Sequence, residues 1–197
     1  MTARDGAPMH VLIAPDSFKG TLTATQAATA IAKGLRRVWP TAVLTLAPMA
    51  DGGEGTVEAM VSATGGRLIE TTVLDPLARP IRATYGVLGG QEHGNGGAVV
   101  EMAAASGLPL VAQPLRNPMR TTTYGTGQLI LEAVSHGAER IMVGIGGSAT
   151  IDGGAGCAQA MGVLFYDESG GAMFEPLTGG DLERIARIDP SGLDGRV

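Results

Sequence analysis

Three polar loops of this 197-residue chain carry acids among small residues, and each follows a short strand-like run. In "PDSFKG", Asp16, Ser17 and Lys19 fall together just after "HVLIA". A carboxylate can take the proton of an attacking hydroxyl, and a cation can neutralise phosphoryl oxygens in flight. Asp16 and Lys19 suit those roles, with Ser17 left to hold a substrate carboxylate. In "ADGGEGT", Asp51 and Glu54 stand at a helix start, near enough to share a cation or flank a hydroxyl. Acidic capping of that helix is the alternative reading. In "GGSATIDGG", Gly146, Gly147, Gly153 and Gly154 let backbone N–H groups come close to a phosphate. Ser148 and Thr150 add hydroxyl donors, and Asp152 can hold Mg²⁺ brought by a nucleotide. A tight strand-to-helix turn, with glycine only relieving crowding, competes with the phosphate cradle.

The elements around these loops alternate. "HVLIA" reads as a buried strand. Thr23 then caps a helix whose apolar face is Ala27, Ala30, Ile31, Leu35 and Val38, ended by Pro40. "AVLTLA" is the next strand, and "TVEAMVSAT" a helix closed by Gly65 and Gly66. In a parallel sheet the strand ends present such loops to ligands. "RLIETTVLD", "IRATYGVLG" and "AVVEMA" are strands joined by turns that include "DP" and "GGQEHGNGG", which predicts antiparallel pairing. A helix through "GTGQLILEAVSHG", the strand "RIMVGI", a helix through "AGCAQAMG" and the strand "VLFYD" follow, and the tail is expected to hold one amphipathic helix. The expected fold is α/β. Strands near residues 10, 43 and 141 form a Rossmann-like parallel layer, and a smaller mixed or antiparallel β excursion spans residues 67–103. The expected division is 1–66, part of a first α/β domain, and 67–197, a second with the mixed sheet and the Gly-rich loop.

Composition excludes several function classes. A net charge of −5, with no basic run beyond Arg36–Arg37, argues against nucleic acid and against an anionic membrane as partners. One cysteine, Cys157, excludes an intrachain disulfide and suits a reducing cytoplasm. No signal-peptide core and no long apolar span occurs in the sequence. The 31 glycines, about twice ordinary usage, gather in a few loops and form no repeat.

"GIGGSA" also fits a dinucleotide-binding fingerprint, with Asp167 where a ribose ligand would lie. That fingerprint needs its helix to start inside the motif, whereas Gly153 and Gly154 delay helix until about Ala155. There is no Walker-type loop and no G-x-S-x-G elbow. His10, His93 and His136 lack metal-ligand spacing, and Cys157 reads as core. Glu101, at a strand end, suits a structural or a functional role equally.

Taken in order, "IAPDSFKG", "MADGGEGT", "VVEMAAASGL", "TTTYGTGQLI" and "GIGGSATIDGGAG" give the chain a resemblance to the bacterial glycerate kinase family, which phosphorylates D-glycerate with ATP. The resemblance implies a two-domain α/β kinase in which ATP, Mg²⁺ and D-glycerate meet in a cleft, with 2-phosphoglycerate the favoured product. It implies that Asp16, Ser17, Lys19, Asp51, Glu54, Ser148, Thr150 and Asp152 lie there. Asp16 or Asp51 then accepts the hydroxyl proton, Lys19 screens the phosphoryl group, and Asp152 or Glu54 bridges Mg²⁺. Two features depart from the family pattern. Ile151 stands where the family usually has Asn, and it can neither donate to phosphate nor hold a positive φ comfortably. Family members are also much longer, so the chain reads as a fragment, a shortened form or a degraded copy. Sheet edges left open would then favour a homo-oligomer. Two other functions are carried forward: a catalytically inactive binding module, and an NAD-binding Rossmann protein.

Overall fold

The computed structural model describes residues 8–18, 21–90 and 96–197. Lys19 and His93, and most of the turn "GGQEHGNGG", lie outside the described residues. The chain divides into two compact units, Met1–Asp51 and Gly52–Val197.

In the first unit, His10–Ile13 (β1) and Val43–Leu46 (β2) pair parallel, His10 opposite Val43, and Ala24–Val38 (α1) makes the crossover between them. The expected cap is present: Thr23 accepts from the Gln26 N–H, and the Gln26 side chain accepts from the Thr23 N–H. That reciprocal pair satisfies backbone donors that a helix start otherwise leaves unmet. Ala27 and Ala28 are the buried residues of α1, and small side chains there let the helix lie close to the strands.

The second unit is built on a four-stranded sheet ordered β3-β4-β5-β6. Arg67–Leu74 (β3) and Pro80–Val87 (β4) are antiparallel, β4 is antiparallel to Gly97–Glu101 (β5), and β5 is parallel to Arg140–Gly144 (β6). All five residues of β5 are buried, its apolar Ala98–Val100 suiting an interior strand of the sheet. Alternation along β5 feeds two cores. Ala98 and Val100 join Val73, Tyr85, Leu129 and Ala133 beneath Tyr124–Ser135 (α4). Val99 joins Val57, Val61 and Leu88 on the side of Thr56–Thr64 (α2).

Three expectations are corrected. β6 pairs with β5 in the mixed sheet and not with β1 or β2, because Ala103–Ser106 (α3) and α4 provide a crossover long enough to bring it back parallel to β5. The division falls at Asp51 and not at residue 66, since α2 buries Val57 and Val61 on the sheet of the second unit. The tail contains no α-helix among its described residues: Gly179–Arg184 is a 3₁₀ turn, and Arg187–Asp189 (β8) pairs antiparallel with Leu164–Tyr166 (β7). Gly179 and Gly180 at the start of that stretch cost it helix propensity. Ala155–Ala160 (α5) precedes β7, and Ala155, Val163, Phe165 and Leu177 form a third small core there.

No helix among the described residues is long and apolar enough to cross a membrane. Leu129→Ala, at a site with 0% exposure, is expected to lower unfolding stability by about 2–5 kcal/mol in urea titrations. Phe174→Ala, at 82% exposure, should stay within about 0.5 kcal/mol of the parent. Equal losses at the two sites would contradict this core assignment.

Candidate functional site

Two of the three loops meet inside the second unit. The Gly52 carbonyl accepts the Gly146 N–H at 2.9 Å, which ties the turn before α2 to the loop after β6. The approach is close enough to require glycine. A Cβ on Gly146 would stand 2.7 Å from the Gly53 nitrogen, and one on Gly144 would stand 2.5 Å from the Gly52 oxygen. Here glycine makes room for a second piece of backbone.

Thr56 and Glu101 fix the turn from its other side. The Thr56 hydroxyl donates to the Gly53 carbonyl at 2.8 Å and accepts the Gly52 N–H at 3.1 Å. Glu101, the last residue of β5, is buried and accepts the Val57 N–H at 2.6 Å. A carboxylate at that point answers donors that α2 leaves unpaired at its start. Burial nonetheless pushes the Glu101 carboxyl above its ordinary range. The Val57 and Gly55 amides oppose that shift, and the charges of Glu58 and Glu54 add to it. Glu54, Glu58, Glu101 and Arg82 line one cavity of about 300 Å³. Glu54 and Glu58 are exposed on its rim.

The Gly-rich loop is stitched along its length. Gly107 and Ser148 form an antiparallel bridge, with the Leu108 N–H on the Gly147 carbonyl and the Ala149 N–H on the Ser106 carbonyl. Ser148 Oγ lies 2.9 Å from Thr150 Oγ1 and accepts the Thr150 N–H at 3.0 Å, so the two hydroxyls face each other at the surface. Among the described residues, the N–H groups of Gly147 and Ser148 have no intrachain partner. Ile151 does not take a positive φ, which its branched side chain would resist; Ala78 is the described non-glycine residue that does.

Asp152 occupies a different setting from the one a metal ligand needs. It is 1% exposed, and its carboxylate accepts from the Thr123 N–H at 2.8 Å, the Thr123 hydroxyl at 2.7 Å and the Gly156 N–H at 3.2 Å. The Gly154 N–H reaches its other oxygen at 3.3 Å. The start of α5 is thus already answered by a side-chain anion. Gly154, its cap at φ 82°, serves the turn into the helix. Helix begins only at Ala155, beyond "GIGGSA", so the dinucleotide fingerprint lacks its defining continuation. The Cys157 thiol is pushed up to about 11 by burial and by the Asp152 charge, in keeping with a core residue.

In the first unit, Asp16 is exposed and accepts the Ser17 N–H at 2.6 Å, and Ser17 is half-buried beside it. Asp51, the last residue of that unit, is exposed. Sequence reading gave no role to Thr121–Thr123, three buried threonines: Thr121 holds the Ala149 carbonyl, Thr122 accepts the Tyr124 N–H, and Thr123 holds the Asp152 carboxylate and the Cys157 N–H. The available signal was a hydroxyl run directly before a helix, where such side chains answer backbone.

The whole described core of these motifs falls within one family match. Residues 11–197 match the model of the glycerate kinase family. A glycerate kinase of Bacillus subtilis strain 168 is 52% identical over 189 residues, which are 96% of this chain and 48% of that protein. A glycerate 2-kinase of Escherichia coli K12 is 48% identical over 189 residues, again 96% and 48%. A crystal structure assigned as glycerate kinase 2 of Salmonella typhimurium LT2 superposes with a TM-score of 0.82 at 49% identity, over 96% of this chain and 49% of that one. The chain spans about half the length of the curated relatives it matches.

Gly146→Ala is expected to cost about 1–3 kcal/mol in denaturant titrations, because the clash is with backbone. An unchanged midpoint would show that the two loops can part freely. For Glu101 the raised pKa fixes the sign. Its favourable contribution is complete below the ordinary value of 4.5 and is lost as pH rises through the folded value. Glu101→Gln keeps an acceptor for Val57 and removes the titration. Its stability relative to the parent should therefore improve from acid to neutral pH; parallel pH curves would count against this account.

Proposed function

The chain belongs to the glycerate kinase family, and from that premise we propose that it serves ATP-dependent phosphorylation of a hydroxyl of D-glycerate. What supports the reading in the geometry is the seam between the Gly52–Gly55 turn and the Gly-rich loop, which brings an exposed carboxylate turn beside unpaired N–H groups. The name of the Escherichia coli relative, glycerate 2-kinase, favours the 2-hydroxyl.

Gly147, Ser148 and Thr150 fit a phosphate-holding role, since two backbone N–H groups and two facing hydroxyls are available there. Gly146 supports them through its bond to Gly52. Gly153, Gly154 and Asp152 instead shape the turn, with Asp152 a positioning residue whose carboxylate is already spent on four donors. Glu54 is the better candidate for Mg²⁺, which ordinarily takes one or two carboxylates together with phosphate oxygens and water. Among the described residues no cluster of three or more His, Cys, Asp or Glu could hold a metal, so the ion would be shared with the nucleotide. ATP supplies the transferable phosphoryl group, and Mg²⁺ neutralises its oxygens. Asp16 or Asp51 accepts the glycerate hydroxyl proton, Ser17 holds the glycerate carboxylate, and Lys19 screens charge on the moving group.

The decisive measurement follows ³¹P NMR of the 197-residue chain with Mg-ATP and D-glycerate, beside the Bacillus subtilis relative as an active control. A phosphomonoester signal at the position of 2-phosphoglycerate is expected. Replacing the base, by Asp16→Asn or Asp51→Asn, should slow its appearance by ~10²–10⁴. No signal, with the control active, would overturn catalysis by this chain. A ligand-induced rise in melting temperature without ADP release would then mark a binding module.

A further inference from the structure

Beside the Gly-rich loop a cavity of about 220 Å³ opens to solvent. Its apolar walls are Leu108, Val111, Pro118 and Ile151. Its polar groups include Arg116 and the Ser148 and Thr150 pair, and no carboxylate lines it. In a chain of net charge −5, a cavity with one guanidinium, several hydroxyls and no acid is a place selective for anions.

The Arg116 side chain is already oriented. Its Nε donates to the Val111 carbonyl at 3.1 Å, which sets the guanidinium plane and leaves the terminal nitrogens to a ligand. A planar fork of that kind suits phosphate oxygens in pairs. The apolar walls ask for something else. Ile151 is 52% exposed and Leu108 41%, so each offers surface that a flat, weakly polar group would cover. Ile151 is backed by Gly179, where a Cβ would come 2.7 Å from Ile151 Cγ1, so that wall is supported from behind. The volume is below the ~300–1,000 Å³ of pockets that enclose a whole small ligand, so one moiety enters and the rest lies along the rim.

We propose that this cavity is the base subsite of a nucleoside polyphosphate, with the heterocycle against Leu108, Val111 and Ile151 and with Arg116 gripping the phosphates where they pass to Ser148 and Thr150. The inference rests on the nucleotide-donor reading above and adds Arg116 and Ile151 to it. Arg116 carries affinity for the anion, and Ile151 carries affinity for the base.

The test is titration calorimetry of the full 197-residue chain with ATP, adenosine and inorganic tripolyphosphate, each added separately. Arg116→Ala should weaken ATP and tripolyphosphate by about 10- to 100-fold and leave adenosine nearly unchanged. Ile151→Ser should weaken ATP and adenosine by about fivefold and spare tripolyphosphate. Both positions are exposed, and parent-like melting curves will confirm folding. Should Arg116→Ala melt early, Arg116→Lys takes its place, with a smaller loss for the same two anions. ATP binding that ignores both substitutions overturns the base subsite and leaves the donor reading standing. No ATP binding to the parent chain overturns both. Binding with the expected pattern but no phosphate transfer retains the subsite and removes the catalytic proposal.

Discussion

The buried carboxylate of Asp152 holds the second unit's polar interior together. A carboxylate taken out of water is costly unless every oxygen is answered. Here Thr123 answers with both its N–H and its hydroxyl, and Gly154 and Gly156 answer from the start of α5. One anion therefore fixes the Gly-rich loop, the approach to α4 and the first turn of α5 at once. Thr123 extends the tie by accepting the Cys157 N–H, and Thr121 by donating to the Ala149 carbonyl. With its far end pinned in this way and Gly147–Ala149 bridged to Ser106–Leu108, the loop is held at both ends and keeps the Ser148 and Thr150 hydroxyls at the surface.

A second buried acid does related work across the sheet. Glu101 ends β5 and meets the start of α2, so the turn that carries Glu54 is anchored to the central strand of the sheet. That turn then reaches the Gly-rich loop through Gly52 and Gly146. Two buried carboxylates thus position two surface loops where ligand chemistry is proposed. The division of labour has an electrostatic reason. A carboxylate already committed to backbone donors is a poor partner for a cation, and an exposed one keeps its lone pairs available.

Local signals were legible where a residue acts on its own neighbourhood. Thr23 as the cap of α1 and the glycines closing α2 predicted what they form, and "AVVEMA" was legible as a strand, because caps, turns and strand runs are decided within a few residues. Propensity misled in the tail, where Gly179, Gly180 and pairing with β7 outweighed a short amphipathic pattern. β6 was recognised as a strand but assigned to the wrong sheet, since nothing within "RIMVGI" states which neighbour it will find.

The sequence by itself determined the family, the α/β class, the identity of the motif loops and the residue types available for phosphate chemistry, since these depend on composition and on short, ordered patterns. Only the tertiary structure decided which acids are spent and which are offered. Asp152 and Glu54 look alike in a glycine-rich loop, yet one is buried among four donors and the other stands at the surface. Arg116, unremarkable in "PLRNP", gained a role only when the fold set it beside Ser148 and Ile151. Burial and hydrogen-bond satisfaction are properties of segments far apart in sequence brought together, and no local reading contains them.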